Sequence, residues 1–114
     1  SLWSRVYSSN AGIPFYAWDV EELPDSGFLV VGNLLAGSSR DLYVLRTDAQ
    51  GYKVWEYSYG NHLNETPQDI VLTTDGNYMI SGIIDSSYGF DAKGFALKLD
   101  PNGNSLWYKT YYGF

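Results

Sequence analysis

Aromatic side chains offer the most plausible chemistry in this sequence, because the flat face of a tryptophan can stack on a sugar ring. Aromatic residues make up 18% of the chain, and one cluster near its start consists of Phe15, Tyr16 and Trp18. A later segment that matches this one carries Gln68 in place of Trp18, so no repeating pattern requires the tryptophan. We predict a ligand-binding surface at these three residues, for a glycan or a protein. The alternative is that Trp18 fills hydrophobic space beneath a longer loop.

Catalytic groups are sparse. The one histidine, His62, lies in a polar segment, and no serine, histidine and aspartate occur together at a recognised spacing. Glu21 and Glu22 are adjacent, so on a strand they would point to opposite faces and could not flank a single bond. We therefore predict no catalytic residue and no enzyme activity.

Metal and cofactor ligands are also sparse. The segment from Asp100 to Asn104 is rich in oxygen atoms, like the start of a calcium loop, but it lacks the downstream glutamate and its glycine is misplaced. Asp19 and Asp69 recur at equivalent positions and could ring a channel and hold a cation. Capping of their own loops through backbone N–H groups is the favoured alternative. We predict no metal and no cofactor.

The charge pattern excludes two classes of partner. The net charge is -6, and the seven basic residues are scattered along the chain instead of forming a basic stripe for phosphates. No apolar run approaches the roughly 20 residues that a membrane span needs. We therefore predict neither a nucleic-acid nor a membrane partner. Cysteine is absent, so redox chemistry says nothing about the compartment.

The chain contains an internal repeat. Trp3, Trp55 and Trp107 are separated by 52 residues each, and the last two end the same phrase, Asp-x-x-Gly-x-x-x-Trp, which starts at Asp48 and at Asp100. Other landmarks recur 50 residues apart: Asp19, Asp25 and Gly32 return as Asp69, Asp75 and Gly82. The small changes in spacing cancel within segments of low periodicity, as insertions in loops on a rigid scaffold do.

The local patterns predict strands and no helix. Alternating and β-branched or aromatic segments predict nine strands, at 2–8, 16–23, 27–34, 41–47, 53–59, 68–73, 77–84, 94–99 and 105–112. The Asp48 to Gly51 and Asp100 to Gly103 steps predict hairpin turns, in which aspartate caps the turn and glycine adopts a positive φ. The predicted fold class is all-β, with two four-stranded antiparallel units of β-propeller type plus one extra N-terminal strand. A period of about 50 residues suits one four-stranded propeller blade.

The repeated phrase resembles the tryptophan docking motif of quinoprotein-type β-propellers, and more closely the tryptophan-bearing repeats of secreted bacterial and archaeal propeller proteins. The Asp48 to Gly51 loop is one residue shorter than the quinoprotein pattern, and the alanine and threonine of that pattern are missing. The resemblance implies that Trp3, Trp55 and Trp107 pack each blade against its neighbour. It also implies an extracellular or periplasmic location, where the Asn64-Glu-Thr sequon would be a candidate glycosylation site in an exposed loop. It carries over no quinone cofactor, whose ligands lie outside the matched residues.

These observations divide the chain into three parts: residues 1–9 as the last strand of a preceding blade, 10–60 as a first complete blade and 61–114 as a second. A propeller closes with about four or more blades, so further blades are expected in the same chain or in identical copies. Because the sequence begins with Ser1, we expect a processed, tagged or excised piece. The predicted function is a non-catalytic binding or structural scaffold within a larger propeller. The alternatives are a self-assembling subunit that forms a ring or filament by blade stacking and strand donation, and a fragment of a propeller enzyme acting on glycans.

Overall fold

A computed structural model describes residues 15–36, 39–59, 64–85 and 93–111. These residues form strands and turns without a helix. The eight described strands are β1 (Phe15–Glu22), β2 (Phe28–Ala36), β3 (Ser39–Thr47), β4 (Lys53–Tyr59), β5 (Asn64–Leu72), β6 (Tyr78–Asp85), β7 (Lys93–Leu99) and β8 (Ser105–Tyr111). The strand predicted at 2–8, with Trp3, and the segment around His62 lie outside the described residues.

The strands form two four-stranded antiparallel sheets, in the orders β1-β2-β3-β4 and β5-β6-β7-β8. The predicted all-β class and the two four-stranded units are therefore confirmed. The prediction was wrong at the start of β5, which begins at Asn64 and not at residue 68. Pro67 made this segment resemble a loop, since proline cannot donate a ladder hydrogen bond. It is tolerated because β5 is an edge strand of its sheet.

The two sheets repeat each other in detail. In the turn between β3 and β4, Asp48 Oδ1 accepts hydrogen bonds from the backbone N–H groups of Gln50 and Tyr52, both at 2.9 Å. In the turn between β7 and β8, Asp100 Oδ1 accepts the matching pair from Asn102 and Asn104, also at 2.9 Å. Gly51 and Gly103 end these turns with φ of 86° and 87°, a backbone conformation that side chains disfavour.

A β-bulge occurs at the same place in each sheet. The register shifts between Ala17 and Asp19 in β1, and between Pro67 and Asp69 in β5. Each aspartate Oδ1 accepts a hydrogen bond from the next backbone N–H, at 2.9 Å for Asp19 and 3.0 Å for Asp69. Both aspartates lie inside a strand and not in a loop, so the expected loop cap was wrong in its place, although each carboxylate does bond to a backbone N–H group of its own segment.

The main hydrophobic core lies between the two sheets. It joins Leu29, Val31, Leu42 and Val44 of the first sheet to residues of the second, which include Ile80, Ile84, Phe95 and Leu97. A smaller cluster of Leu34, Tyr43 and Leu45 lies on the opposite face of the first sheet. Val44 and Leu45 are consecutive and both fully buried, so the middle of the first sheet is covered on both faces.

The two sheets pack head to tail. Val44 of β3 and Ala96 of β7 hold the same repeat position, and Val44 faces the core between the sheets. Ala96 lies between Phe95 and Leu97, which both face that core, so strand alternation turns Ala96 away from it. The first sheet thus uses its Val44 face and the second sheet its Phe95 face. In such a heterologous contact, the matching Ala96 face is left on the far side of the second sheet.

Candidate functional site

One contact between the two sheets is built on Trp55 of β4. Its indole Nε1–H donates to the carbonyl oxygen of Pro101, in the turn between β7 and β8, at 3.0 Å. The Tyr59 hydroxyl donates to the carbonyl oxygen of Gly103 in the same turn at 2.6 Å. A Cβ atom added at Gly103 would lie 2.7 Å from Tyr57 Cε2 and 3.1 Å from Trp55 Cε3. Three aromatic side chains of the first sheet therefore hold one turn of the second, and we call this the docking contact.

The local sequence explains why these groups meet. Residues 55, 57 and 59 alternate along β4, so their side chains share one face of the strand. Their rings form a row, with centroids 5.5 Å apart for Trp55 and Tyr57 and 6.4 Å apart for Tyr57 and Tyr59. Gly103 has no side chain, so the row can approach its backbone closely.

The second sheet carries the same side chains at its outer face. Trp107 and Tyr111 match Trp55 and Tyr59, at the 52-residue spacing. Trp107 belongs to neither core cluster of the described residues, and Tyr111 is 51% exposed. The Lys109 ammonium lies 5.4 Å from the centroid of the Trp107 ring, a cation–π contact. Within the described part of the chain, Trp107 thus has no counterpart of the Gly103 turn against its ring.

A groove lies at the end of the first sheet. It has a volume of about 320 Å³ and is lined by Tyr16, Trp18, Asn33, Leu35 and Arg40. The structure therefore brings together two of the three residues predicted as a binding surface. The third, Phe15, lies on the opposite side of β1 and packs edge-on against Tyr43, with ring centroids 4.4 Å apart. Adjacent residues on a strand point to opposite faces, which separates Phe15 from Tyr16.

Asn33 connects this groove to the core between the sheets. Asn33 is only 2% exposed, and its Oδ1 accepts a hydrogen bond from the Trp18 indole at 2.5 Å. Its Nδ2 donates to the backbone carbonyl oxygen of Glu65, in β5 of the other sheet. A buried amide with satisfied hydrogen bonds fixes its neighbours in one geometry. The orientation of Trp18 therefore depends on the packing of the two sheets.

Glu65 places a carboxyl group in the core between the sheets. The residue is 2% exposed, and its Oε2 accepts a hydrogen bond from the Tyr108 hydroxyl at 3.3 Å. Among the described residues, its Oε1 has no hydrogen-bond partner. Burial raises the pKa of Glu65 to about 7, although the Tyr108 hydrogen bond opposes this shift. The nearby charge of Asp41 raises this pKa further. This carboxyl group therefore titrates around neutral pH.

Sequence reasoning missed Asn33, Arg40 and Glu65. Two of them carried a usable signal, because they break the repeat: Asn33 matches Ile83, and Glu65 matches Phe15, each 50 residues apart. A polar residue opposite an apolar one marks a site that the common fold does not need. Asn64 was expected in an exposed loop, but it lies half-buried in β5, where its Oδ1 accepts a hydrogen bond from the backbone N–H of Arg40 at 3.1 Å.

No protein-family model matches the chain. No match is found among curated proteins either. Within the described ranges, no three histidine, aspartate or glutamate side chains are grouped so as to hold a metal ion. The same ranges contain no helix long and apolar enough to cross a membrane. The site is therefore interpreted from its own geometry.

The docking contact predicts different effects for two glycines in the same backbone conformation. Gly103 has a φ of 87° and Gly76 a φ of 84°, but a Cβ at Gly76 meets nothing within 4 Å. Gly76→Ala should therefore cost about 1 kcal/mol of unfolding free energy, from the backbone alone. Gly103→Ala should cost about 1 to 3 kcal/mol more, because its methyl group clashes with Tyr57 and Trp55. Urea unfolding of both variants measures the difference, and equal costs would contradict the contact.

Glu65 predicts a pH-dependent stability. The folded state keeps the Glu65 proton up to about pH 7, whereas the unfolded chain releases it near its ordinary pKa of 4.5. The folded state therefore binds more protons between these values, and the contribution of Glu65 to stability falls as pH rises through this window. Glu65→Gln removes the ionisation. The unfolding free energy of the variant, relative to that of the unaltered chain, should therefore be about 1 to 3 kcal/mol higher at about pH 8 than at about pH 4.5.

The control for this measurement is Glu22→Gln, which removes the same charge from an exposed position. Unfolding free energies of the two variants and the unaltered chain are compared at both pH values. If the difference in unfolding free energy between Glu65→Gln and the unaltered chain does not change with pH, Glu65 is not buried as a neutral acid.

Proposed function

We propose that this chain is a non-catalytic structural scaffold built from propeller-type blades, which stacks on further sheets of the same repeat. The docking contact is the observation that carries the proposal. Trp55 and Tyr59 of one repeat bond to Pro101 and Gly103 in the turn of the next. Trp107 and Tyr111 repeat the donor side of this contact with no described sheet against them. A third sheet with an Asp-x-x-Gly turn would complete the contact.

The head-to-tail packing supports the same proposal. A heterologous contact leaves two different ends, so it propagates until a ring closes or a filament grows. The outer face of the second sheet includes the exposed apolar side chains of Ile83 and Tyr111, at 38% and 51% exposure. Such faces mark interaction surfaces when they are contiguous and apolar. We propose that this face binds another sheet, within a longer array of the repeat, in an extracellular or periplasmic protein.

A second candidate function is a subunit that assembles with identical copies of itself into a ring or filament. The same outer face favours it, because a copy of the first sheet also carries an Asp-x-x-Gly turn, at Asp48 to Gly51. The two candidates differ in behaviour. A self-assembling subunit forms polymers that grow with concentration, whereas a unit of a longer array needs covalently joined neighbours to be stable and soluble.

Extending the chain by its own repeat tests the stacking proposal. In the chain of residues 1–114, Trp107→Ala should cost about 1 kcal/mol or less, while Trp55→Ala costs about 2 to 4 kcal/mol by losing its packing and its hydrogen bond to Pro101. When residues 10–114 are joined after residue 114, Trp107 gains a following sheet. The cost of Trp107→Ala should then rise to that of Trp55→Ala.

Urea unfolding of Trp55→Ala and of Trp107→Ala, each in the original and in the extended chain, measures these costs. Sedimentation at several concentrations reports assembly. Concentration-dependent polymers that Trp107→Ala abolishes would favour the self-assembling subunit. A soluble monomer in which joining a further repeat leaves the cost of Trp107→Ala unchanged would overturn both candidates.

A further inference from the structure

The groove at the end of the first sheet belongs to one repeat only. Three of its lining residues, Tyr16, Trp18 and Asn33, match Thr66, Gln68 and Ile83 in the second repeat. The second sheet forms the same β-bulge and the same strand register without these side chains. The groove residues are therefore not needed to build a sheet of this kind.

The aromatic side of the groove is open to solvent and held in place. Tyr16 is 56% exposed and Trp18 is 54% exposed, so both rings present large areas to a ligand. The Trp18 indole N–H is fixed by the buried amide of Asn33, at 2.5 Å. Its polar atom is already bonded, which leaves the ring faces for stacking. A ring that is fixed before binding loses little conformational entropy when a ligand arrives.

The polar side of the groove is a single guanidinium group. Arg40 lines the groove and is exposed, and it takes part in none of the described ion pairs, which use Arg46, Lys53 and Lys98. An arginine matches a carboxylate with two parallel hydrogen bonds. The chain has a net charge of -6, so a long polyanion would be repelled overall. One guanidinium suits one carboxylate, on a small ligand.

We propose that this groove binds a carboxylate-bearing sugar of the uronic acid type. The apolar face of the sugar ring stacks on Trp18 and Tyr16, and the carboxylate pairs with Arg40. The hydroxyl groups remain towards solvent at the open side. The volume of about 320 Å³ is at the lower end of the range for small-molecule sites, which fits one or two rings. The proposal stands apart from the stacking of sheets, because Trp107 and Gly103 take no part in it.

The probes are the methyl glycoside of galacturonic acid and its methyl ester, in which the same ring has lost its charge. Titration calorimetry and tryptophan fluorescence follow binding at about 0.15 M salt, where charges beyond about 8 Å are screened. The acid should bind about tenfold more tightly than the ester, as expected for a charge-assisted hydrogen bond. Trp18→Ala should weaken binding of both probes about tenfold, and Arg40→Gln should remove the preference for the acid.

Two control variants remove similar groups elsewhere on the surface. Tyr52→Ala removes another exposed aromatic ring, and Lys109→Gln removes another positive charge. Both should leave the affinity for the acid unchanged. Trp18→Phe keeps an aromatic face without the indole N–H, so it should retain part of the binding if Trp18→Ala does not fold.

Three results would overturn the proposal. The first is equal affinity for the acid and the ester in the unaltered chain. The second is an equal loss of binding in Tyr52→Ala or Lys109→Gln. The third is the absence of binding of either probe at millimolar concentration. None of these results bears on the docking contact, so a failure here can be told from a failure of the stacking proposal.

Discussion

The described structure depends on the contact between Trp55 and the turn that ends at Gly103. The indole N–H bonds to the Pro101 carbonyl oxygen, and the ring approaches a backbone that only glycine leaves bare. The contact therefore needs a large ring on one sheet and the smallest residue on the next. It also needs a positive φ at Gly103, which the Asp100 cap helps to hold. The hydrophobic core between the sheets provides the bulk of the burial, and this contact sets how they meet.

A contact of this kind has a direction, and the direction has consequences for function. The donor side chains lie on one face of each repeat, and the acceptor turn lies in the next repeat. When two repeats pack, the donors of the second and the turn of the first are therefore left without partners from this pair. Trp107 and Tyr111 present a second donor side on the outer face of the second sheet. The groove around Trp18 is positioned by the same packing, because Asn33 bonds to Glu65 in the other sheet. A module that stacks in one direction can thus carry a binding groove on one repeat without changing the others.

Local features could be predicted from the sequence, whereas the partner atoms of the contacts between the sheets could not. The turns at Asp48 and Asp100 follow from the chemistry of adjacent residues, and the strands follow from alternation. The start of β5 was missed because an edge strand tolerates Pro67. The Trp55 partner could not be found from spacing, since Pro101 contributes a backbone atom that any residue has. Glu65 could have been noticed, because it stands where the first repeat has Phe15, but its burial depends on the packing of the sheets.

The most direct test of the docking contact is the proton NMR spectrum of Gly103. One of its α-protons points where a Cβ would lie 2.7 Å from the Tyr57 ring and 3.1 Å from Trp55, whereas Gly76, with nearly the same φ, faces nothing within 4 Å. The account predicts a strong ring-current shift for that Gly103 proton, with nuclear Overhauser contacts to the Trp55 indole. Gly103 α-protons with shifts as ordinary as those of Gly76, and without such contacts, would contradict it.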